Sequence, residues 1–382
     1  MVAISLVAGC ATTVSRAPVP EALVAEVQLG GFTGVRFWGD ALPRNFNTLV
    51  KRKFEQRRAR EKAEGRRRQA PQFLAISGGG SDGAFGAGLL VGWTERGDRP
   101  QFDVVTGVST GALIAPFAFL GSAYDRQLQE LYTLYQTSDL IAPRLLAGLF
   151  GGVALADVTP FEALIARYIS PEVLAAIAAE HRRGRSLLIG TTNIDAQRPV
   201  IWDMGAIAAS GHPRALDLFR RILRASASIP GIFPPVRITV KAEGKTFDEL
   251  HVDGGLTAQV FFLPSQIMLG QVAKRLGLRR TPTLYVIRNG HVRPEYKPIN
   301  AKLAAVASRS ISTLIKSQAN GELFMLYARA QRDRVRYRLA HIPRTFRVVS
   351  KETFDKAYMQ ALFERGRTLA RAGYRWATKP PS

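Results

Sequence analysis

Two short apolar runs, each stopped by glycine and each followed by an apolar stretch of helical length, constrain this chain more than any other feature. The first is Phe73-Leu74-Ala75-Ile76, halted at Ser77-Gly78-Gly79-Gly80-Ser81-Asp82-Gly83 and followed by helix-compatible residues 84–93. The second, residues 102–106, repeats the plan with Asp103 and Thr106 among its apolar residues, and feeds Gly107-Val108-Ser109-Thr110-Gly111 and then the apolar residues 112–120. An apolar run of this length bounded by glycine reads as a strand buried on both faces. Strands that alternate with helices build a layered α/β sheet, mostly parallel. Further strands are predicted at 186–191, 199–203, 236–240, 247–252 and 283–288.

The chain has 382 residues, 46% of them hydrophobic and 22% charged, so it can bury a full-sized core. Past residue 290 the texture becomes helical and Arg-rich. Leu323, Leu326, Tyr327 and Ala330 share a helix face. Val335, Tyr337 and Leu339 alternate with Arg336 and Arg338 as on a one-sided strand, and Phe354, Tyr358, Leu362 and Leu369 suggest a closing helix. There is no internal repeat. The expected division is a truncated lipoprotein-type signal over 1–10, a basic N-terminal extension or linker over 11–70, a catalytic domain over 71–290 and a helical extension over 291–382 packed on the catalytic domain.

Net charge is +23, which favours anionic partners: membrane surfaces, nucleic acid or acidic substrates. The basic segment 51–68 holds ten Lys or Arg and three Glu. It reads either as a solvated helix face or linker, or as an electrostatic anchor on a membrane. Nucleic acid is the weakest partner, because no aromatic residue interleaves with the charges over 62–68. The single cysteine excludes an internal disulfide framework and any Cys-based zinc site. It ends the apolar start Val7-Ala8-Gly9-Cys10, which resembles a bacterial lipobox, and this implies a lipidated Cys10 and a cell-envelope protein, with Ala11 leaning toward the outer membrane. Nine residues are short for a signal peptide and no Lys or Arg precedes them, so a start site farther upstream is expected. The longest apolar run after the N-terminus, twelve residues over 145–156, is too short for a spanning helix, which needs about 20. That run reads as a core helix or as a mobile flap at a site entrance.

Three glycine-bound segments carry the chemistry. Gly107-Val108-Ser109-Thr110-Gly111 has the pattern of a nucleophile elbow, in which a serine sits on a tight strand-to-helix turn. Chance alone supplies on the order of 0.1 such match in a chain this long and glycine-rich, so its placement between a strand and a helix is what gives it weight. The loop Gly78, Gly79, Gly80, Ser81 with Gly83 lets backbone amides converge on an anion. A rival reading as a dinucleotide loop meets an objection, since the next strand ends in Thr106 where that fingerprint has an acid. Asp253-Gly254-Gly255 ends a strand, and a carboxylate held by such a turn can take a proton from a serine hydroxyl directly. Taken alone, Asp-Gly-Gly is an ordinary turn.

A glycine-rich loop, then Gly-x-Ser-x-Gly some thirty residues on, then a distant Asp-Gly-Gly together resemble the patatin-like phospholipase family. Supporting blocks are Thr191-Thr192-Asn193-Ile194-Asp195 and the run from Ala227 to Pro235, Ala-Ser-Ile-Pro-Gly-Ile-Phe-Pro-Pro. Arg36-Phe37-Trp38-Gly39-Asp40, Phe354-Asp355 and Pro380-Pro381 point to a bacterial lipoprotein-like subgroup. The resemblance implies a three-layer fold, Ser109 as nucleophile, Asp253 as base, and Gly78, Gly79, Gly80 and Ser81 as the oxyanion loop. Gly83, Gly107, Gly111, Gly254 and Gly255 become structural motif positions. It implies a phospholipase or lipid esterase without metal or other cofactor, with membrane lipids as substrates. Two positions depart from the plant pattern: Ser77 stands where an Asp often precedes the glycines, and Asp82 where Arg or Lys is usual. A carboxylate there disfavours an anionic intermediate unless it is paired or turned away.

Besides a basic nucleic-acid or envelope-interaction protein, two other functions remain open. One is a lipid-binding lipoprotein without activity. The other is a Ser/His/Asp esterase of α/β-hydrolase type, whose His would follow the Asp in the chain, as His291 and His341 do. His251, two residues before Asp253 on the same strand face, is expected to orient it.

Overall fold

The computed structural model describes residues 16–43, 45–65, 69–143, 156–277, 280–296 and 298–381. In chain order the elements begin with β1 (Arg36–Trp38), α1 (Phe46–Ala63), β2 (Gln72–Ile76), α2 (Gly83–Arg96), β3 (Val104–Val108) and α3 (Thr110–Leu120). Next come α4 (Asp125–Thr133), α5 (Thr137–Leu140), β4 (Ala142–Pro143), β5 (Ala156–Asp157), α6 (Thr159–Tyr168) and α7 (Pro171–Arg182). Then follow β6 (Ser186–Asn193), β7 (Arg198–Asp203), α8 (Met204–Ala208), α9 (Ala215–Ser226), β8 (Val236–Ala242) and β9 (Lys245–Asp253). The chain closes with α10 (Leu269–Arg275), β10 (Thr283–Arg288), α11 (Leu303–Arg332), β11 (Arg336–His341) and α12 (Lys356–Arg371).

Five strands in the order β6-β3-β2-β10-β11 run parallel and form the centre of one sheet. β7 and β1 extend it antiparallel beyond β6, and the β8–β9 hairpin joins through β9. The result is a three-layer α/β fold with helices on both faces. Alternation along β2 divides the core: Leu74 and Ile76 join the larger cluster with α2, α3 and α12, whereas Phe73 and Ala75 face α11.

The register at β6 decides where the chemistry lies. β3 runs parallel along β6 and stops at Val108, opposite Gly190. β9 comes antiparallel along the same strand and stops at Asp253, opposite Thr191. The two strands therefore meet head-on, and their ends carry Ser109 and Asp253.

Both chain ends are drawn into this architecture, which revises the expected linker and extension. β1 pairs with β7, and α1 is an 18-residue helix within the expected linker, which agrees with the helix-face reading of its basic segment. Several cations of α1 turn inward. The Lys53 ammonium donates to the Arg185 carbonyl (2.9 Å), while Arg57 and Arg60 pair with Asp103 at 3.1 and 3.0 Å. Only part of the basic segment, including Lys51, Arg52, Arg58 and Lys62, is exposed as a membrane anchor would require. At the other end β11 pairs with β10, so a boundary at residue 290 would cut the sheet. Residues 144–155 and Cys10 lie outside the described residues; Ala156, the last of the apolar run, lies in β5.

α12 packs along α2 at backbone distance. Side chains are missing where the helices cross, because a Cβ at Gly88 would strike the Phe363 carbonyl and one at Gly92 the Arg367 carbonyl. A glycine inside a helix costs roughly 0.5–1 kcal/mol relative to alanine, a penalty offset here by the close approach. Gly88→Val is expected to lower unfolding free energy by about 1–3 kcal/mol, read from the denaturant midpoint. An unchanged midpoint would mean that the helices do not touch there.

Candidate active site

The site is built on the ends of β2, β3 and β9. Ser109 caps the N-terminus of α3 with φ 55° and ψ −125°, a conformation rare for a residue bearing a side chain. The turn is as tight as the flanking glycines permit: a Cβ at Gly111 would strike the Ile76 carbonyl, and Gly107, in β3, packs on the Gly111 backbone. The Ser109 amide donates to Ser226 Oγ (3.0 Å), whose hydroxyl in turn donates to the Gly190 carbonyl (2.7 Å). Ser226 thus fixes the turn, and no sequence motif singled it out.

Asp253 is buried and its carboxyl is pushed up to about 6 by desolvation; the facing Ser109 hydroxyl and the Gly255 amide (2.7 Å) oppose that shift. Backbone contacts hold it from both sides, with its N–H on the Ser228 carbonyl (2.9 Å) and its carbonyl taking the Thr192 hydroxyl (3.0 Å). Gly254 lies against Gly190 and Val108, where the two strand ends meet.

The glycine loop crosses beside them and opens α2 at Gly83. Gly79 adopts φ 155°, and a side chain there would collide with the Asn289 carbonyl. The Gly78 amide donates to the Gln259 carbonyl (2.9 Å), so it is spent and is removed from the expected donors. The amides of Gly79, Gly80 and Ser81 remain candidates. The departure at Ser77 has a structural counterpart. Its Oγ accepts from the Asn289 amide (2.8 Å) and Arg288 Nη1 (3.1 Å) and donates to the Gly78 carbonyl (2.7 Å). Arg288 Nη1 also donates to the Gly78 carbonyl (2.9 Å), and Asn289 Nδ2 to that of Ser77 (2.9 Å). Arg288 and Asn289, at the end of β10, are framework residues that the sequence did not reveal.

Asp82 is paired rather than free: the Tyr358 hydroxyl donates to its carboxylate at 2.5 Å. Burial pushes this carboxyl up to about 6, against that hydrogen bond and the nearby Arg288.

The histidines stand elsewhere. His251 spends its ring nitrogens on Thr191 Oγ1 (2.9 Å) and Glu249 (3.1 Å), with Arg36 completing the ion pair to Glu249, so it does not orient Asp253. His291 and His341 line a separate cationic cavity beyond β10 and β11. The cleft at Ser109 is apolar, lined by Leu113, Leu140, Phe161, Leu164, Ile229 and Phe233 among others, with no histidine among its described lining residues.

The sequence matches the family model for patatin-like phospholipases over residues 74–264. The chain belongs to the patatin-like phospholipase family. Membership supports hydrolysis of acyl esters of lipids by an esterase or phospholipase, and lipids as its substrates. Among solved structures the chain is similar to VipD from Legionella pneumophila at 12% identity and TM-score 0.36, covering 80% of this chain and 67% of that one. It is also similar to human GIVD cytosolic phospholipase A2 at 10% identity and TM-score 0.38, covering 88% of this chain and 63% of that one. The chain thus spans about two thirds of these relatives. No curated protein matches it in sequence.

The Asp82 carboxyl binds its proton more tightly folded than unfolded. Its contribution to stability is therefore complete below about pH 4 and is lost as pH rises through about 6. Asp82→Asn keeps an acceptor for Tyr358 and removes the charge. It is expected to raise unfolding free energy by about 1–3 kcal/mol at pH 8, with no gain at pH 4, in denaturant titrations at the two pH values. A gain equal at both would refute the burial account.

Proposed function

We propose that this patatin-like protein is a serine acyl hydrolase working through a Ser/Asp dyad. Ser109 Oγ gives its proton to Asp253 and attacks the ester carbonyl, and the amides of Gly79, Gly80 and Ser81 stabilise the tetrahedral oxyanion. The alcohol leaves with the proton held by Asp253, and water activated by the same carboxylate then hydrolyses the acyl-enzyme. What carries this reading is the head-on meeting of β3 and β9, which sets the Ser109 hydroxyl facing a buried carboxylate at an apolar cleft. A carboxyl titrating near 6 is a stronger base than free aspartate, yet remains ionised over protonated by roughly ten to one at pH 7. α3 points its N-terminal end at the reacting serine, where the helix dipole favours the developing negative charge. The apolar lining suits a fatty acyl chain.

Ser109→Ala and Asp253→Asn are each expected to cut hydrolysis of a soluble short-chain ester by at least about a thousandfold. His291→Ala and His341→Ala should keep most of it. An inactive His291 variant beside an active Asp253 variant would reverse the assignment. In the wild type, protonation removes the base, so kcat/KM should fall about tenfold per unit below pH 6 and level off above it. A profile flat from pH 4 to 8 would exclude Asp253.

Attachment to the cell envelope through an acylated Cys10 belongs to the same proposal. Among the described residues no helix is long and apolar enough to cross a membrane. Cys10→Ser should shift the protein from the membrane to the soluble fraction, and mass spectrometry of the membrane-extracted wild type should find the acylated cysteine. Equal membrane retention of both proteins would refute the anchor.

A further inference from the structure

The longest helix has no part in this chemistry. α11 spans 30 residues, about 45 Å. Its C-terminal half is a crossover between parallel β10 and β11, with Leu323, Leu326 and Ala330 buried in the core. Its first part, residues 303–318, carries no buried side chain among those described.

On this overhang the usual amphipathic arrangement is inverted. Lys316 Nζ donates to the Arg293 carbonyl (3.0 Å) and pairs with Glu295, and Asn320 donates to the Val292 carbonyl (2.9 Å). Arg309 bonds the Glu295 carbonyl. The polar face is thus fastened to the protein. At about 100° per residue, Leu303, Ile311, Leu314 and Met325 share the opposite stripe, and they are 86, 59, 69 and 45% exposed. Monomeric soluble proteins rarely leave so long an apolar stripe uncovered.

The overhang lies at the active-site edge of the sheet. A helix returning from β10 to a parallel β11 starts at the strand ends where Ser109 and the glycine loop sit. Midway along it, the Glu322 carboxylate accepts the amides of Gln259 (3.1 Å) and Val260 (2.8 Å), and Gln259 Nε2 donates to the Gly255 carbonyl (2.9 Å). The segment fastened under α11 is also one wall of the cationic cavity that contains Arg293, Arg344 and Arg347. Those three arginines are exposed, and among the described residues none forms an ion pair.

We propose that this face docks on the surface of an anionic lipid bilayer. The stripe of Leu303, Ile311 and Leu314 enters the boundary between headgroups and acyl chains, and the arginine cavity takes lipid phosphates. The overhang stands at the same end of the sheet as Ser109, and its service to catalysis rests on the proposed hydrolase reading. Charge favours a bilayer over a second copy of this chain. The net charge is +23, and two-fold pairing would bring the same face, with its unpaired arginines, against itself.

The test uses the full chain with Cys10→Ser in every arm, so that no acyl anchor contributes. Sedimentation is measured with phosphatidylcholine vesicles with and without about one-third phosphatidylglycerol. The parent should bind the phosphatidylglycerol vesicles. Combined Leu303→Ser, Ile311→Ser and Leu314→Ser should weaken that binding more than tenfold while hydrolysis of a soluble short-chain ester stays within about twofold. Arg344→Gln with Arg347→Gln should remove the preference for anionic vesicles. Unchanged vesicle binding by the triple variant would overturn the proposal. A parent that sediments as a dimer and a monomeric triple variant with intact vesicle binding would overturn it too, making a second copy the occupant. Ser109→Ala keeps the two readings apart: it should bind vesicles like its parent and hydrolyse nothing. A parent that binds vesicles but cleaves no ester would sink the hydrolase reading and leave the docking face standing.

Discussion

Two strands approach each other end to end along one edge of β6, and the rest of the site depends on that collision. β3 and β9 point in opposite directions, so their terminal residues face each other. A methyl added at Gly254 would strike the Gly190 carbonyl and push the ends apart, and one at Gly111 would strike the Ile76 carbonyl and lift α3 from the end of β2. Sheet hydrogen bonds along each strand, with the buried hydroxyls of Ser226 and Thr192 at their ends, set Ser109 and Asp253.

That meeting point is dry, and dryness has electrostatic consequences. A carboxylate taken from water becomes harder to ionise, which lifts both Asp253 and Asp82. The two differ in what faces them. Asp253 looks at a serine hydroxyl, whereas Asp82 looks at the Tyr358 hydroxyl from α12. A carboxylate next to the glycine loop is therefore tolerated because the C-terminal helix supplies its partner. The same logic explains Ser77, Arg288 and Asn289, which satisfy the polar groups that a sharp glycine turn exposes in a buried place.

Much of this was legible in the chain. Glycine punctuation located β2, β3 and the helices after them to within a few residues, since an apolar run that meets glycine can neither continue as strand nor bury a side chain there. Alternation around Tyr337 and the face of Leu323 and Leu326 also survived folding. The misreadings share a cause. Gly78 carries an amide like its neighbours, yet Gln259, far along the chain, consumes it. His251 stands on the same strand as Asp253, yet Glu249 and Thr191 claim both its nitrogens. The cations of α1 looked free because Asp103 and the Arg185 carbonyl that bind them are distant in sequence.

Residue order by itself determined the α/β alternation, the tight turns and the identity of the groups with chemical reach, because each follows from local sterics and side-chain period. It also determined the family. Tertiary structure alone decided which amide is free, which carboxylate is paired, and that Ser226, Arg288 and Asn289 hold the turns. It also decided that the polar side of α11 faces inward while its apolar side faces out. Those outcomes depend on hydrogen bonds between residues tens to hundreds of positions apart, and no local pattern in a sequence encodes which donor will meet which acceptor once the layers close.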